Sequence, residues 1–142
     1  MTGDDTFLNA VALGLSLSLV TVSGTKAASV ELSAYQGAWL QDGSSCSDIY
    51  STSGKEFSFR KPVDIFAPAF IISGSRLRTP MASCRIKSVK SASDRQFLTL
   101  DCANSVSVGD VTVLMSSAPD GTLKRYFNAQ DSMGSTYRRC SR

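Results

Sequence analysis

The stretch Cys84-Arg-Ile-Lys-Ser-Val-Lys-Ser-Ala-Ser-Asp-Arg-Gln-Phe-Leu-Thr-Leu-Asp-Cys102 reads as a hairpin turning about residues 91–95. Setting Cys84 opposite Cys102 also sets Ile86 opposite Leu100 on the same face. On the other face it places Arg85 against Asp101, an opposite-charge cross-strand pair that favours the register. Carried on to the loop, the same register sets Val89 against Phe97. Apolar and polar residues alternate along both arms, as in strands with one buried face. The hairpin therefore carries a Cys84–Cys102 disulfide in its ladder.

Four cysteines allow three connectivities. With Cys84–Cys102 taken from the register, Cys46–Cys140 follows by elimination and joins the start of the domain to its end. Both bridges are expected at Cα–Cα separations of about 4.4–6.8 Å. A zinc site is disfavoured, because the chain has no His and no C-x-x-C spacing. The same lack of C-x-x-C disfavours a redox dithiol.

Outward from the hairpin, short strands are expected at 37–41, 49–51, 56–60, 69–73 and 76–79 on the N-terminal side. On the C-terminal side they are expected at 110–117, 123–128 and 135–140. Residues 29–36 read as one or two helical turns. Pro62, Pro68 and Pro80 interrupt the strands, and Pro119-Asp120-Gly121 marks a turn. No stretch after Gly37 keeps a helical period. The expectation is an all-β fold: a small antiparallel up-and-down barrel of about eight strands, held by two disulfides. Its 142 residues, 42% hydrophobic, suit one compact domain over 28–142.

Residues 1–27 read as a signal peptide. Phe7 to Val22 is an almost unbroken apolar run, and Thr25 and Ala27 supply small residues for cleavage before Ala28. The n-region departs from the usual pattern, with Asp4 and Asp5 and no basic residue before Lys26. The other reading is an uncleaved anchor, for which the run is short of the roughly 20 residues a span needs. Export and paired cysteines together place the protein in the periplasm or outside the cell.

The absent chemistry narrows the function. Without His, the Ser-His-Asp and Cys-His mechanisms and the common transition-metal sites are lost. No phosphate-binding or nucleophile-elbow motif occurs. Paired carboxylates remain formally available among Glu31, Asp42, Asp48, Glu56 and Asp64, but solvated surface positions account for them. The expectation is a protein that is not an enzyme, with no cofactor and no metal.

Gly37-Ala38-Trp39 opens the first strand, and Tyr137-Arg138-Arg139-Cys140 ends the last. In these residues the chain resembles the calycins: lipocalins, avidins and bacterial metalloprotease inhibitors. The resemblance implies a barrel whose first-strand Trp39 is covered at one end by a basic residue of the last strand, Arg138 or Arg139. A guanidinium over an indole gains a cation–π contact there. The terminal Tyr-x-Arg-Cys is also similar to that of small exported proteins of alphaproteobacteria, which implies a Gram-negative envelope.

A second constellation is basic. Arg76 and Arg78 flank Leu77, and Arg85 and Lys87 flank Ile86, so each pair shares a strand face. If the strands are neighbours, four cations share one outer surface, with Arg60 and Lys61 nearby. That face suits an anionic envelope component, or it is simply solvated. The net charge of only +3 and the absence of interleaved aromatics argue against nucleic acid. The leading functional expectation is non-catalytic binding of a small apolar ligand or an envelope partner. The alternatives are inhibition of a secreted protease through residues 28–36, and a structural envelope role using the basic face.

Overall fold

The computed structural model describes residues 32–142. The expected signal peptide, Glu31 and the start of the N-terminal arm lie outside the described residues. A single 3-10 turn, Ser33–Tyr35, leads into β1, Gly37–Gln41. A short helix α1, Cys46–Ile49, runs into β2, Tyr50–Ser51, which pairs with β3, Ser58–Phe59. Then follow β4, Ala69–Ser73; β5, Arg76–Arg78; β6, Ser83–Ala92; and β7, Arg95–Ala103. The chain ends with β8, Val108–Ser117; β9, Leu123–Tyr126; and β10, Ser135–Cys140.

Eight of these strands close into an antiparallel barrel in the order β1-β10-β9-β8-β7-β6-β5-β4. Walking from β4 to β10 follows the chain, so the barrel is an up-and-down meander sealed where β1 meets β10. The seam pairs Ala38 with Cys140 and Trp39 with Arg139. Closure leaves none of these eight strands with a free edge, which is how a small β-protein avoids edge-to-edge association.

The hairpin that decided the fold is β6–β7. Cys84 lies opposite Cys102, Arg85 opposite Asp101 and Ile86 opposite Leu100. Beyond Ile86 the register differs from the expectation. A bulge between Ile86 and Ser88 sets Val89 against Leu98, and Phe97 against Lys90. The reason is burial. Leu98 is fully buried in the barrel core, and one extra residue on β6 turns Val89 inward to meet it. An unbroken ladder would have put Val89 on the outer face. The turn itself is tight, with Ala92 opposite Arg95 and Ser93 at φ 60°, the positive φ that a primed hairpin turn needs.

Both expected disulfides are formed, Cys46–Cys140 and Cys84–Cys102. The first spans 5.8 Å between Cα atoms. The second spans 4.0 Å, below the usual range, because its cysteines face each other directly across the ladder, where the narrow pairs approach about 4.5 Å.

The interior is filled mainly by Trp39, Phe70, Ile72, Leu98, Met115 and Leu123. A second apolar cluster lies outside the wall. There α1 and the β2–β3 hairpin bring Ile49, Tyr50, Phe57 and Phe59 against Ala38, Leu40, Ala69 and Ile71. β1 and β4 are thus buried on both faces, which explains why Ala69-Phe70-Ile71-Ile72 is continuously apolar. The region read as two strands at 49–51 and 56–60 is this covering element. Its strands are only two residues long and lie off the barrel. Asp48, one of the candidate carboxylates, is on α1.

Candidate functional site: the two ends of the barrel

The 3-10 turn closes one end. Leu32 and Tyr35 pack into the core, and the Trp39 indole Nε1–H donates to the Tyr35 carbonyl at 2.8 Å. The Arg139 guanidinium lies 4.8 Å from the centre of the Trp39 ring, and its Nη2 donates to the Ala34 carbonyl at 3.0 Å. Gly37 is called for here by its backbone, because the left-handed φ is one that other residues rarely adopt, whereas the space beside it would admit a Cβ. Its φ is +125°, and a Cβ there would meet the Arg139 side chain at 3.5 Å. Arg138 is one residue off in a strand and so faces the other way. It donates to the Ser44 carbonyl and to Cys46 Sγ outside the barrel. Of the two expected covering residues, only Arg139 lies over the indole.

The opposite end is open. A cavity of about 390 Å³ enters the barrel there. Its walls include Phe70, Leu77, Leu100, Val113, Met115 and the Cys84–Cys102 bridge. Arg125 is the one charged side chain among its lining residues. Besides the polar segment that leaves β1 next to the start of β4, antiparallel alternation delivers four loops to this mouth: those before β4, between β5 and β6, between β7 and β8, and between β9 and β10. Each presents large apolar side chains to solvent, with Phe66 84% and Phe127 92% exposed, beside Met81, Val106 and Met133. Each is also held by a local polar side chain. The Phe66 N–H donates to Asp64 Oδ1, the Met81 N–H to Thr79 Oγ1 and the Val106 N–H to Asn104 Oδ1. Asp131 accepts from Phe127, Met133 and Gly134. These amides, that of Phe127 foremost, hold its carboxyl below the ordinary aspartate range.

Family models, curated proteins and solved structures give no match to this chain.

The basic constellation is brought together and largely occupied. Arg76 lies opposite Arg85 on adjacent strands. Arg85 is 3.8 Å from Asp101, and Lys87 is 3.0 Å from Asp110. Arg78 donates to the Phe57 carbonyl at 2.9 Å and ties β5 to the outer covering element. Arg60 donates to the Ser47 carbonyl, and Lys61 is exposed. Asp42, Asp48, Glu56 and Asp64 are exposed on separate segments. Among the described residues no group of His, Cys, Asp or Glu is placed to hold a metal. A polar concavity of about 730 Å³ lies outside the barrel, lined by Ser45, Ser47, Ser53, Arg60, Arg138 and Arg139.

Arg125 was missed by the sequence reading, because its inward place shows only once Leu123 is seen to be buried. Leu123 is fully buried in the core, and strand periodicity puts residue 125 on the same inward face.

Proposed function

We propose that this protein is a non-catalytic binder of a small apolar ligand, held in the open end of a calycin-like barrel and working in the periplasm. The observation that carries the proposal is the 390 Å³ apolar cavity entering the barrel beneath a crown of exposed apolar loop tips. Its size is within the range of small-molecule pockets, and its walls are mostly hydrophobic, as such pockets are. The lack of His supports a role without acid–base or metal chemistry. Two disulfides and the apolar run from Phe7 to Val22 support export to an oxidising compartment.

The closed end gives less support to protease inhibition. That role needs a free N-terminal arm, whereas Leu32 and Tyr35 are packed into the core and the Gln36 side chain bridges the N–H and carbonyl of Gly74. The structural envelope role is supported less, since Arg85 and Lys87 already have acidic partners.

The test uses 1-aminonaphthalene, a neutral polarity-sensitive fluorophore. Its emission should rise on mixing with the 142-residue chain. Val113→Trp, which fills the cavity from the wall, should abolish the rise. Val111→Trp, at the half-exposed mouth, should weaken it with no loss of fold by circular dichroism. Unchanged enhancement in both folded variants would defeat the reading.

A further inference from the structure

We infer that the ligand is an amphiphile with an anionic head, its apolar body in the barrel and its head held between Arg125 and Tyr137. This rests on the binding role proposed above and adds the chemical class. Arg125 is the one charged group lining a mostly apolar mouth, where Thr79 and Asn104 are the other polar side chains besides Tyr137. Its guanidinium makes no hydrogen bond or ion pair among the described residues, although most other arginines here are tied to carbonyls, carboxylates or rings. Arg125 is exposed at the mouth, so its charge is hydrated, and an anionic head placed there gains a charge-assisted pair that a neutral ligand does not.

Tyr137 adds a second donor. β9 and β10 pair Arg125 with Ser135 and Leu123 with Tyr137, so Arg125 and Tyr137 are diagonal neighbours on the inward face, within reach of long side chains. Tyr137 is 5% exposed, and its hydroxyl makes no hydrogen bond within the described residues. Yet no fully buried side-chain polar atom there lacks a partner. The hydroxyl therefore keeps access to the cavity that Tyr137 lines. A fork of guanidinium donors beside a phenol O–H suits a carboxylate, sulfate or phosphate monoester. The volume admits roughly a dozen heavy atoms at about 30 Å³ each, the size of a medium-chain alkyl body.

The probes are decanoate, 1-decanol and decylammonium, each used to displace 1-aminonaphthalene from the 142-residue chain. The expected order is decanoate tightest and decylammonium weakest. Arg125→Gln should weaken decanoate by roughly tenfold or more, the scale of a charge-assisted hydrogen bond, and leave 1-decanol unchanged. Arg125→Lys should keep most of the preference. Tyr137→Phe, which retains the ring, should weaken decanoate several-fold and not 1-decanol. Equal displacement by all three probes, or a preference for decanoate that survives Arg125→Gln, would overturn the anionic class and leave the binding role standing. Failure of 1-aminonaphthalene to bind would instead remove the binding role itself.

Discussion

The phenol of Tyr50 fastens the outer covering element to the barrel wall. It is buried outside the wall, and its single proton is shared between the carbonyls of Trp39 at 2.6 Å and Phe70 at 3.1 Å. Those carbonyls belong to β1 and β4, so one side chain bridges two barrel strands. Burial raises the phenol well above its ordinary value, more than its two hydrogen bonds lower it. The folded value thus exceeds the unfolded value of about 10. The contribution to stability is complete below about pH 10 and is lost as pH climbs toward the folded value. Tyr50→Phe should cost about 1 kcal/mol at neutral pH. It should also flatten the fall of the urea midpoint above pH 10, and parallel curves for the two proteins would refute the assignment. At this same scale, Ile86 and Leu100 were legible because they alternate cleanly with Arg85 and Asp101. Val89 was not. Its place depends on a bulge at Lys87, and a bulge is demanded by burial against Leu98 rather than by local sequence. Arg125 was illegible for a related reason: a charged residue on an inward face contradicts the pattern used to assign faces.

Among elements, the β6–β7 hairpin and the outer covering element make opposite cases. The hairpin could be read from sequence because its disulfide, its ion pair and its aliphatic pair all require one local register. The covering element resisted. Its two short strands are anchored by Phe57, Phe59 and Ile49 against the far sides of Ala38, Leu40 and Ile71, contacts distant in sequence. The two bridges differ in kind for the same reason. Cys84–Cys102 closes a loop with separation 18, and Cys46–Cys140 one with separation 94. Replacing either pair by Ser should cost roughly 2–5 kcal/mol, and chain entropy makes the longer bridge the larger loss. Urea unfolding of the two double variants measures this directly. An equal or smaller loss for the Cys46–Cys140 pair would show that the reduced chain already holds those ends together.

For the whole molecule, strand count and the closing contact of first and last strands followed from turn spacing and cysteine placement, since both act along the entire chain. The mouth did not. Its cavity exists because side chains from five or more strands stop short of filling the barrel, and small barrels of this strand number are as often solid. The apolar tips Phe66, Met81, Val106 and Phe127 look in sequence like ordinary loop residues. Only closure collects them around one opening.

The seam between β1 and β10 also has a kinetic consequence. All other neighbouring strands of the barrel except β1 and β4 are consecutive in the chain, so most of the ladder zips up locally. The β1–β10 contact must wait for the two ends of the barrel to meet, and such a distant closure slows folding. Cys46–Cys140 bridges beside that seam with separation 94, so an oxidised chain starts with the search already shortened. The only tryptophan, Trp39, lies on β1 between the two late partners, and its fluorescence reports the event. Stopped-flow refolding of the oxidised chain should outpace that of the Cys46→Ser/Cys140→Ser variant by roughly tenfold or more, the rate equivalent of loop-closure entropy removed in advance. Matched rates would place seam closure after the rate-limiting step.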